Sequence, residues 1–477
     1  VARLSNCRWF SYNKGGEYRK WYGNNDYIVD WENDGERIRN FTNKNGKIRS
    51  HNYNLDYIFK PGITWSALSS GSFSSRIFPN GYLFDNAGSS LFTDNISDLY
   101  RLQGFLSTNI VKTILPLINP TLNYQPGTIS MLPVKLPRDS KIDEQLIKYV
   151  KENVSIAKNE WDSFETSLEF DKHPFLKFSS FKISNTFNQW LDFTESQYNK
   201  LKSNESNINR IFMELYNLEN EFTTNEVSEY EDISIRKADL ERDVKSFISY
   251  AVGCLFGRYS LDKEGLIFAG GEFDISNYKI FPAKEDNIIL FMPDRYFEND
   301  IVTKFVEFIS KTFSDETVEE NLDFIANVIG RKKNETARET LRRYFLNDFY
   351  KDHLQVYKKR PVYWMFTSGK EKAFNCLIYM HRLDKTTLSR IRTDYLHEVQ
   401  IQLDVEKNEL FKIINGDFTT REINSAKKKL KVLDRKVDEL KAYDELLHHM
   451  ADMQIEIDLD DGVKVNYEKF KDLVVKI

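Results

Sequence analysis

Cysteine is scarce: Cys7, Cys254 and Cys376 are the three in 477 residues, far apart and without a C-x-x-C pair. An odd, scattered set of thiols excludes a disulfide framework and a structural zinc site. It points to a reducing compartment, the cytoplasm by default. No run of about 18 apolar residues occurs, so no membrane-spanning helix is expected. The opening residues VARLSNCRWF lack a starting Met and the basic, apolar and small-residue regions of a signal peptide, so the chain reads as starting partway into a longer polypeptide. Seven histidines are scattered. The one adjacent pair, His448-His449, would project about 100° apart on a helix and ligate one metal poorly. His397-Glu398 lacks the second histidine of a zinc-hydrolase helix. Gly15-Gly16 and Gly270-Gly271 follow no strand-to-helix fingerprint, and no Walker loop occurs, which leaves nucleotide hydrolysis unsupported. Asp139-Ser140-Lys141 offers the last piece of a nuclease carboxylate cluster, yet no acidic residue stands in the dozen positions before it. By these absences the chain reads as non-catalytic by itself.

What is abundant is aromatic. The chain has 35 Phe, 25 Tyr and 7 Trp, an area that normally has to be buried and that excludes wholesale disorder. At about 100 to 200 residues per domain, the length calls for several cores. The formal charge of -5 conceals an asymmetry: residues 1–137, up to the Pro-bounded MLPVKLP, hold 15 Lys+Arg against 10 Asp+Glu, a net of +5, which leaves -10 for the remainder. Only the front part suits a polyanion.

The front part also holds 7 of 11 prolines and 11 of 20 glycines, with turn signals at Lys14-Gly15-Gly16, Asn33-Asp34-Gly35, Asn45-Gly46 and Pro79-Asn80-Gly81. Between them Cys7 to Tyr12, Tyr27 to Trp31 and Tyr82 to Phe84 have the length and composition of strands. One helix is expected over Leu99 to Leu115, ended by Pro116. From Asp143 the periodicity turns helical over Glu144 to Phe170 and Asn185 to Glu221. An acidic linker, Thr223 to Asp232, precedes a helix over Arg236 to Tyr259. Residues 260–365 read as short strands alternating with helices, notably Ile301 to Phe313 and Glu335 to Lys358. Val362 to Phe366 and Phe374 to Met380 read as a hairpin joined by SGKEK. Thr386 to Ile414 and Thr419 to Met450 carry heptad-like apolar spacing around Asn415-Gly416-Asp417, interrupted at Glu406 and Asp444, and imply an antiparallel helical hairpin. That hairpin is either a spacer or docking arm, or a pair packed on its own domain. The fold class is α+β: a β-rich segment 1–137, a helical connector 138–225, a mixed α/β domain 226–384, and a helical hairpin with tail over 385–477.

The chemistry that stands out lies in the front. The segment Trp9 to Asn25 interleaves cations, aromatics and amides around a glycine turn. Arg19 can fork to a guanine edge or phosphate, Lys14 and Lys20 supply charge for phosphates, Trp21 and Tyr22 stand among them, and Asn24 or Asn25 can pair with adenine. The competing reading is a surface hairpin with Trp21 and Tyr22 in the core. A second cluster combines Lys60, Thr64 and Ser66 with the run Ser69-Ser70-Gly71-Ser72-Phe73-Ser74-Ser75-Arg76. Small hydroxyl residues beside glycine admit a phosphate and Arg76 can anchor it, or these are solvated serine loops. Arg37, Arg39, Lys47 and Arg49 flank the Asn45-Gly46 turn, as a basic fingertip toward a groove or a soluble hairpin tip.

The runs RKWYGNNDYIVDWENDG, FKPGITWSALSSGSFSSRIFPNGYLFDNAGSS and NPTLNYQPGTISMLPV resemble the PglX family, the adenine-specific DNA methyltransferases of BREX phage-defence systems, in the part that follows the catalytic domain. IRKADLERDVKSFISYAVGCLFGRYSLD, RRYFLNDFYKDHLQVYKKRPVYWMFTSGKEKAFNCLIYMHR and RIRTDYLHEVQ resemble the same family's C-terminal region. The resemblance implies a target-recognition domain over 1–137 that closes on double-stranded DNA. It implies S-adenosylmethionine as cofactor of a catalytic domain outside this chain, and other BREX proteins and phage-encoded inhibitors as partners. The base-aligning N/D-P-P-Y/F segment of such enzymes is absent; the nearest match, Asn119-Pro120-Thr121-Leu122, lacks the second proline and the aromatic. No cofactor is therefore assigned to this chain. The DNA-contacting residues expected from the chemistry are Lys14, Arg19, Lys20, Trp21, Tyr22, Asn24, Asn25, Lys60, Thr64, Ser66 and Arg76. Two other readings stand: a separate specificity subunit of a restriction-modification system, which usually carries two recognition domains and two spacers where one of each is seen here, and a DNA-independent scaffold in a defence complex.

Overall fold

The computed structural model describes residues 2–51, 54–69, 71–219, 233–293 and 300–477. Ser70 and the linker Thr223 to Asp232 lie outside the described residues. Two compact units emerge, one of residues 1–170 with 190–238, the other of residues 171–189 with 239–477.

Among the described residues of the first unit six short strands make two three-stranded sheets. Strands β1 (Trp9–Asn13) and β2 (Tyr27–Asp30) pair antiparallel. Strand β3 (Gly62–Ser66) lies between β4 (Ser75–Phe78) and β6 (Gly88–Leu91), while β5 (Leu83–Phe84) joins β1 in parallel, giving orders β2-β1-β5 and β4-β3-β6. Every residue of β3 is buried, as befits a central strand covered on both faces. The expected helix over Leu99 to Leu115 is instead two, α1 (Ile96–Leu106) and α2 (Asn109–Ile118). Thr108 breaks them because its hydroxyl accepts from the Val111 N–H and starts the second helix, and Pro116 sits inside α2 rather than ending it. Helix α3 (Ser140–Trp161) starts at the cap Asp139. It ends before the predicted Phe170, where Ser163 and Ser167 hydrogen-bond locally to Asn159 and Asp162.

Helix α4 (Ile183–Tyr216) contributes its residues from Trp190 onward to this unit. One apolar core holds Trp21, Ile63 and Trp65 from the strand-rich part together with Phe105, Leu146, Val150, Leu201, Ile208 and Phe212 from the helices. The segments read separately as 1–137 and 138–225 therefore share a core. A smaller cluster of Ala2, Trp31 and Leu83 supports the β1–β2 sheet.

The second unit is built on α5 (Leu240–Phe256), capped by Asp239 and stopped by Gly257 in the left-handed region. Its sheet has the order β7-β9-β8, from β7 (Ile288–Leu290), β8 (Tyr363–Thr367) and β9 (Asn375–Tyr379); β8 and β9 are the anticipated hairpin. Helices α6 (Ile301–Thr312), α7 (Val318–Val328), α8 (Ala337–Asn347) and α9 (Phe349–Val356) lie between β7 and β8 in sequence. Two expectations change here. Among the described residues of 260–365 the strands are β7, of three residues, and the start of β8, with four successive helices between them rather than an alternation. The helix read over Glu335 to Lys358 breaks at Asn347-Asp348, residues whose short polar side chains compete with helical backbone bonding.

The C-terminal pair is α10 (His397–Asn415), entered through a π-helical stretch Ile391–Leu396, and α11 (Thr420–Asp452), begun by a Thr419/Glu422 capping box. Ala426, Leu433, Leu440 and Leu447 hold the predicted seven-residue spacing and are buried. The interruption at Asp444 receives Arg392 at 2.7 Å, so a polar residue on the seam is neutralised rather than exposed. Leu440, Tyr443, Leu447 and Met450 share a core with Trp364, Phe366 and Ile378 of the sheet, so this end of the pair packs on its own unit. Farther along, Val405, Phe411, Phe418 and Val432 are exposed. Among the described residues no helix is long and apolar enough to cross a membrane.

Two buried histidines of this unit are held neutral. His173 Nδ1 accepts from the Phe175 N–H at 3.2 Å amid the Phe175, Phe247 and Tyr250 rings. His353 Nε2 accepts from the Tyr363 N–H at 3.2 Å. Burial first, then a nearby cation (Lys177 for His173, Arg258 for His353), pushes both imidazoles down to about 3. The unfolded chain protonates them near about 6.5 and the folded one does not, so stability falls as pH drops below that value, by about 2 kcal/mol per histidine at about pH 5. Thermal unfolding at about pH 7.5 and about pH 5 should show this loss, and His353→Gln should shrink it. A variant with an unchanged pH dependence would mean that His353 titrates normally in the fold.

Candidate nucleic-acid interface

The segment Trp9 to Asn25 folds around its glycine turn, but two of its cations, Arg19 and Lys20, face inward. After β1 the chain turns at Gly15-Gly16 against the end of β3, where the Ser66 hydroxyl donates to the Gly16 carbonyl at 2.7 Å and accepts from its N–H at 2.9 Å. It then runs along β4: the Trp21 N–H donates to the Ser75 carbonyl at 3.0 Å, and the Trp21 carbonyl accepts from Ile77 at 2.9 Å.

Arg19 is 6% exposed and Lys20 7%. The Arg19 guanidinium pairs with Glu160 of α3, donates to the Tyr22 carbonyl at 2.7 Å and lies over the Trp161 ring at 4.7 Å. Arg236 meets the other oxygen of Glu160 at 2.5 Å. Gly23 is required beside this group, since a Cβ there would come within 2.8 Å of the Trp161 ring. Lys20 Nζ and Trp21 Nε1 donate to the two oxygens of Glu205 of α4, at 2.6 and 2.7 Å. Taking an ion out of water costs several kcal/mol, which a carboxylate with further hydrogen bonds offsets. Glu160 and Glu205 supply that offset.

Most other predicted contacts are interior too. Arg76, fully buried, donates to the Arg19 carbonyl at 3.4 Å, and burial followed by the repulsion of Arg19 pushes its guanidinium down to about 10. Thr64 donates to the Ser89 carbonyl at 3.0 Å, stitching β3 to β6. Asn24 Nδ2 donates to the Glu17 carbonyl at 2.9 Å, Asn25 is buried, and burial pushes Tyr22 up to about 12. Of the eleven residues expected to face DNA, only Lys14 and Lys60 are exposed, over the Tyr27 and Tyr57 rings at 5.4 and 5.1 Å. The others are corrected to interior positions. For Arg19 and Lys20 the reason is that their neutralising partners Glu160 and Glu205 lie 141 and 185 residues away in sequence. Three of the five excess positive charges of residues 1–137 thus sit inside the unit.

What remains outside is concentrated in one finger. From Arg37 to Leu55 the chain has five cations and no carboxylate. Arg37 pairs with Asp30 at 3.1 Å. Arg39, Lys44, Lys47 and Arg49 are exposed and, among the described residues, without an ion pair. The finger is a β-hairpin: Asn43 N–H donates to the Lys47 carbonyl and Arg49 N–H to the Phe41 carbonyl, both at 2.9 Å, with Thr42 facing Ile48. Gly46 takes the left-handed position of a three-residue turn, and Asn43 Oδ1 accepts from the Asn45 and Lys47 N–H groups at 3.0 Å. The charge pattern around the Asn45-Gly46 turn marks Arg37, Arg39, Lys47 and Arg49 but not Phe41 and Lys44; the carboxylate-free run is the signal that reaches them.

Neither glycine pair lies in a strand-to-helix loop of the kind that cradles S-adenosylmethionine. Gly15-Gly16 is the turn already described, and Gly270-Gly271 lies between no strand and helix. No group of three or more His, Cys, Asp or Glu among the described residues is placed to hold a metal ion.

No family model matches the chain. It is 42% identical over 470 residues to the adenine-specific methyltransferase PglX of Lacticaseibacillus casei strain Zhang, an alignment covering 97% of this chain and 38% of that protein. It is 38% identical over 503 residues to the adenine-specific methyltransferase BrxX of Escherichia coli O9:H4 strain HS, covering 99% of this chain and 40% of that protein. The likeness read from the motifs therefore runs over essentially the whole chain, which spans about two fifths of the length of these relatives.

Lys20→Met removes the sole cation paired with Glu205 among the described residues and is expected to lower stability in urea by about 3–5 kcal/mol, with Glu205→Gln in the same chain recovering part of the loss. A loss below about 1 kcal/mol would mean that water reaches the pair.

Proposed function

From the homology of nearly the whole chain to part of PglX and BrxX, we propose that this chain is the DNA target-recognition and binding part of a site-specific adenine-N6 DNA methyltransferase of a BREX phage-defence system. The observation that carries the reading is the finger of Arg39, Lys44, Lys47 and Arg49, four exposed cations without ion pairs among the described residues. Duplex DNA is a dense array of phosphates, and uncompensated surface cations are what binds it. Lys14 and Lys60 extend the positive surface of the same unit. The buried residues Arg19, Lys20 and Arg76 act indirectly by fixing the β-rich part against its helices.

The catalytic and S-adenosylmethionine-binding part lies, on this reading, in the remaining length of the protein, consistent with the missing N/D-P-P-Y/F segment. Sequence choice belongs to the first unit. The net of -10 carried by residues 138–477 suits protein partners, including other BREX proteins and phage-encoded inhibitors, better than DNA. The protein acts in the cytoplasm, where host and phage DNA meet. A separate specificity subunit is disfavoured because both relatives are named as methyltransferases and extend well beyond the matched part.

Binding of duplex DNA by the chain across a salt series is expected to weaken steeply, and alanine at Arg39, Lys47 or Arg49 should each reduce the slope of log K against log salt by about 1. Absence of duplex binding at low salt would sink the proposal in favour of a DNA-independent scaffold.

A further inference from the structure

The finger has two chemically different faces. In an antiparallel hairpin, residues directly opposite share a face and successive residues alternate. Thr42 and Ile48 form one such pair, so Phe41 with Arg49 and Asn43 with Lys47 lie together on the other face. Phe41 is 59% exposed, a large aromatic left in water beside a guanidinium and an ammonium that have no carboxylate partner among the described residues. Its backbone is held: the Phe41 N–H donates to the Ile38 carbonyl at 3.2 Å, and Ile38 packs against the cluster of Ala2, Trp31 and Leu83. The Asn43 carboxamide fixes the turn beyond it.

An exposed ring on a rigid support, flanked by cations on its own face, matches the way bases are held when out of the stack. The ring covers the base, and the cations take the adjoining phosphates. Reading of base edges in an intact groove calls instead for amide and guanidinium groups leading. Here the one amide on this face has its oxygen already engaged by two backbone N–H groups. We infer that the Phe41–Arg49–Lys47 face stacks on a nucleobase displaced from the duplex. This rests on the DNA-binding reading above and adds to it which DNA state the finger takes. Adenine chemistry inside a duplex requires a base to leave the stack, which supplies such a state.

The test compares a short matched duplex with the same duplex carrying one unpaired base, by fluorescence anisotropy with the full chain. The unpaired base removes the cost of unstacking, so wild type should bind that duplex about fivefold or more tightly than the matched one. Phe41→Ala, at an exposed position, should erase the preference while leaving salt-dependent binding of the matched duplex intact, and Phe41→Tyr should keep it. Arg49→Ala should weaken both duplexes alike. Equal binding of the two duplexes by wild type, or a preference that survives Phe41→Ala, overturns the stacking inference and leaves the DNA-binding reading standing. Failure of wild type to bind either duplex at low salt overturns that reading and the inference with it.

Discussion

The first unit is organised by two buried ion pairs. Arg19 and Lys20 sit on a short segment that runs along the edge of β4, and each would carry an intolerable desolvation penalty there without a carboxylate. Glu160 and Glu205 arrive on two different helices, so the two pairs between them fasten α3 and α4 to the strand-rich part. Each glutamate is used on both oxygens, Glu160 by Arg19 and Arg236 and Glu205 by Lys20 and Trp21. That saturation is what makes ionic groups tolerable in an otherwise apolar core of Trp21, Ile63, Trp65, Phe105 and Phe212.

This arrangement decides what is left for the surface. Cations that look in sequence like a nucleic-acid-binding motif are structural, while the finger from Phe41 to Arg49 keeps its cations exposed, as do Lys14 and Lys60. A hairpin with a glycine turn and an asparagine-braced tip needs little core of its own. It can therefore carry exposed apolar and charged groups together without destabilising its support.

The second unit follows a different logic. Its sheet is buried throughout β7 and β9, and its core is a run of aromatic contacts in which His173 and His353 take part as neutral rings. Polar exceptions are local and matched, as where Asp444 receives Arg392 on the seam of the helical pair. The whole chain corresponds to about two fifths of its methyltransferase relatives, and both units fall within the matched stretch.

Local patterns were legible from the sequence alone. The Asn45-Gly46 turn, the β8–β9 hairpin and the seven-residue spacing of Ala426, Leu433, Leu440 and Leu447 depend on neighbours a few residues apart, and they fold as read. Helix ends were less legible, because Thr108 and Asn347-Asp348 break periodicity through side-chain hydrogen bonds that compete with the backbone. Which cations meet water was beyond any local rule. Arg19, Lys20 and Arg76 have the composition of a phosphate site, and the carboxylates that draw Arg19 and Lys20 inside stand 141 and 185 residues along the chain. Composition determined that charge and aromatic groups would lie side by side; only the tertiary structure, by bringing distant helices onto the sheet, decided which side of the surface they occupy.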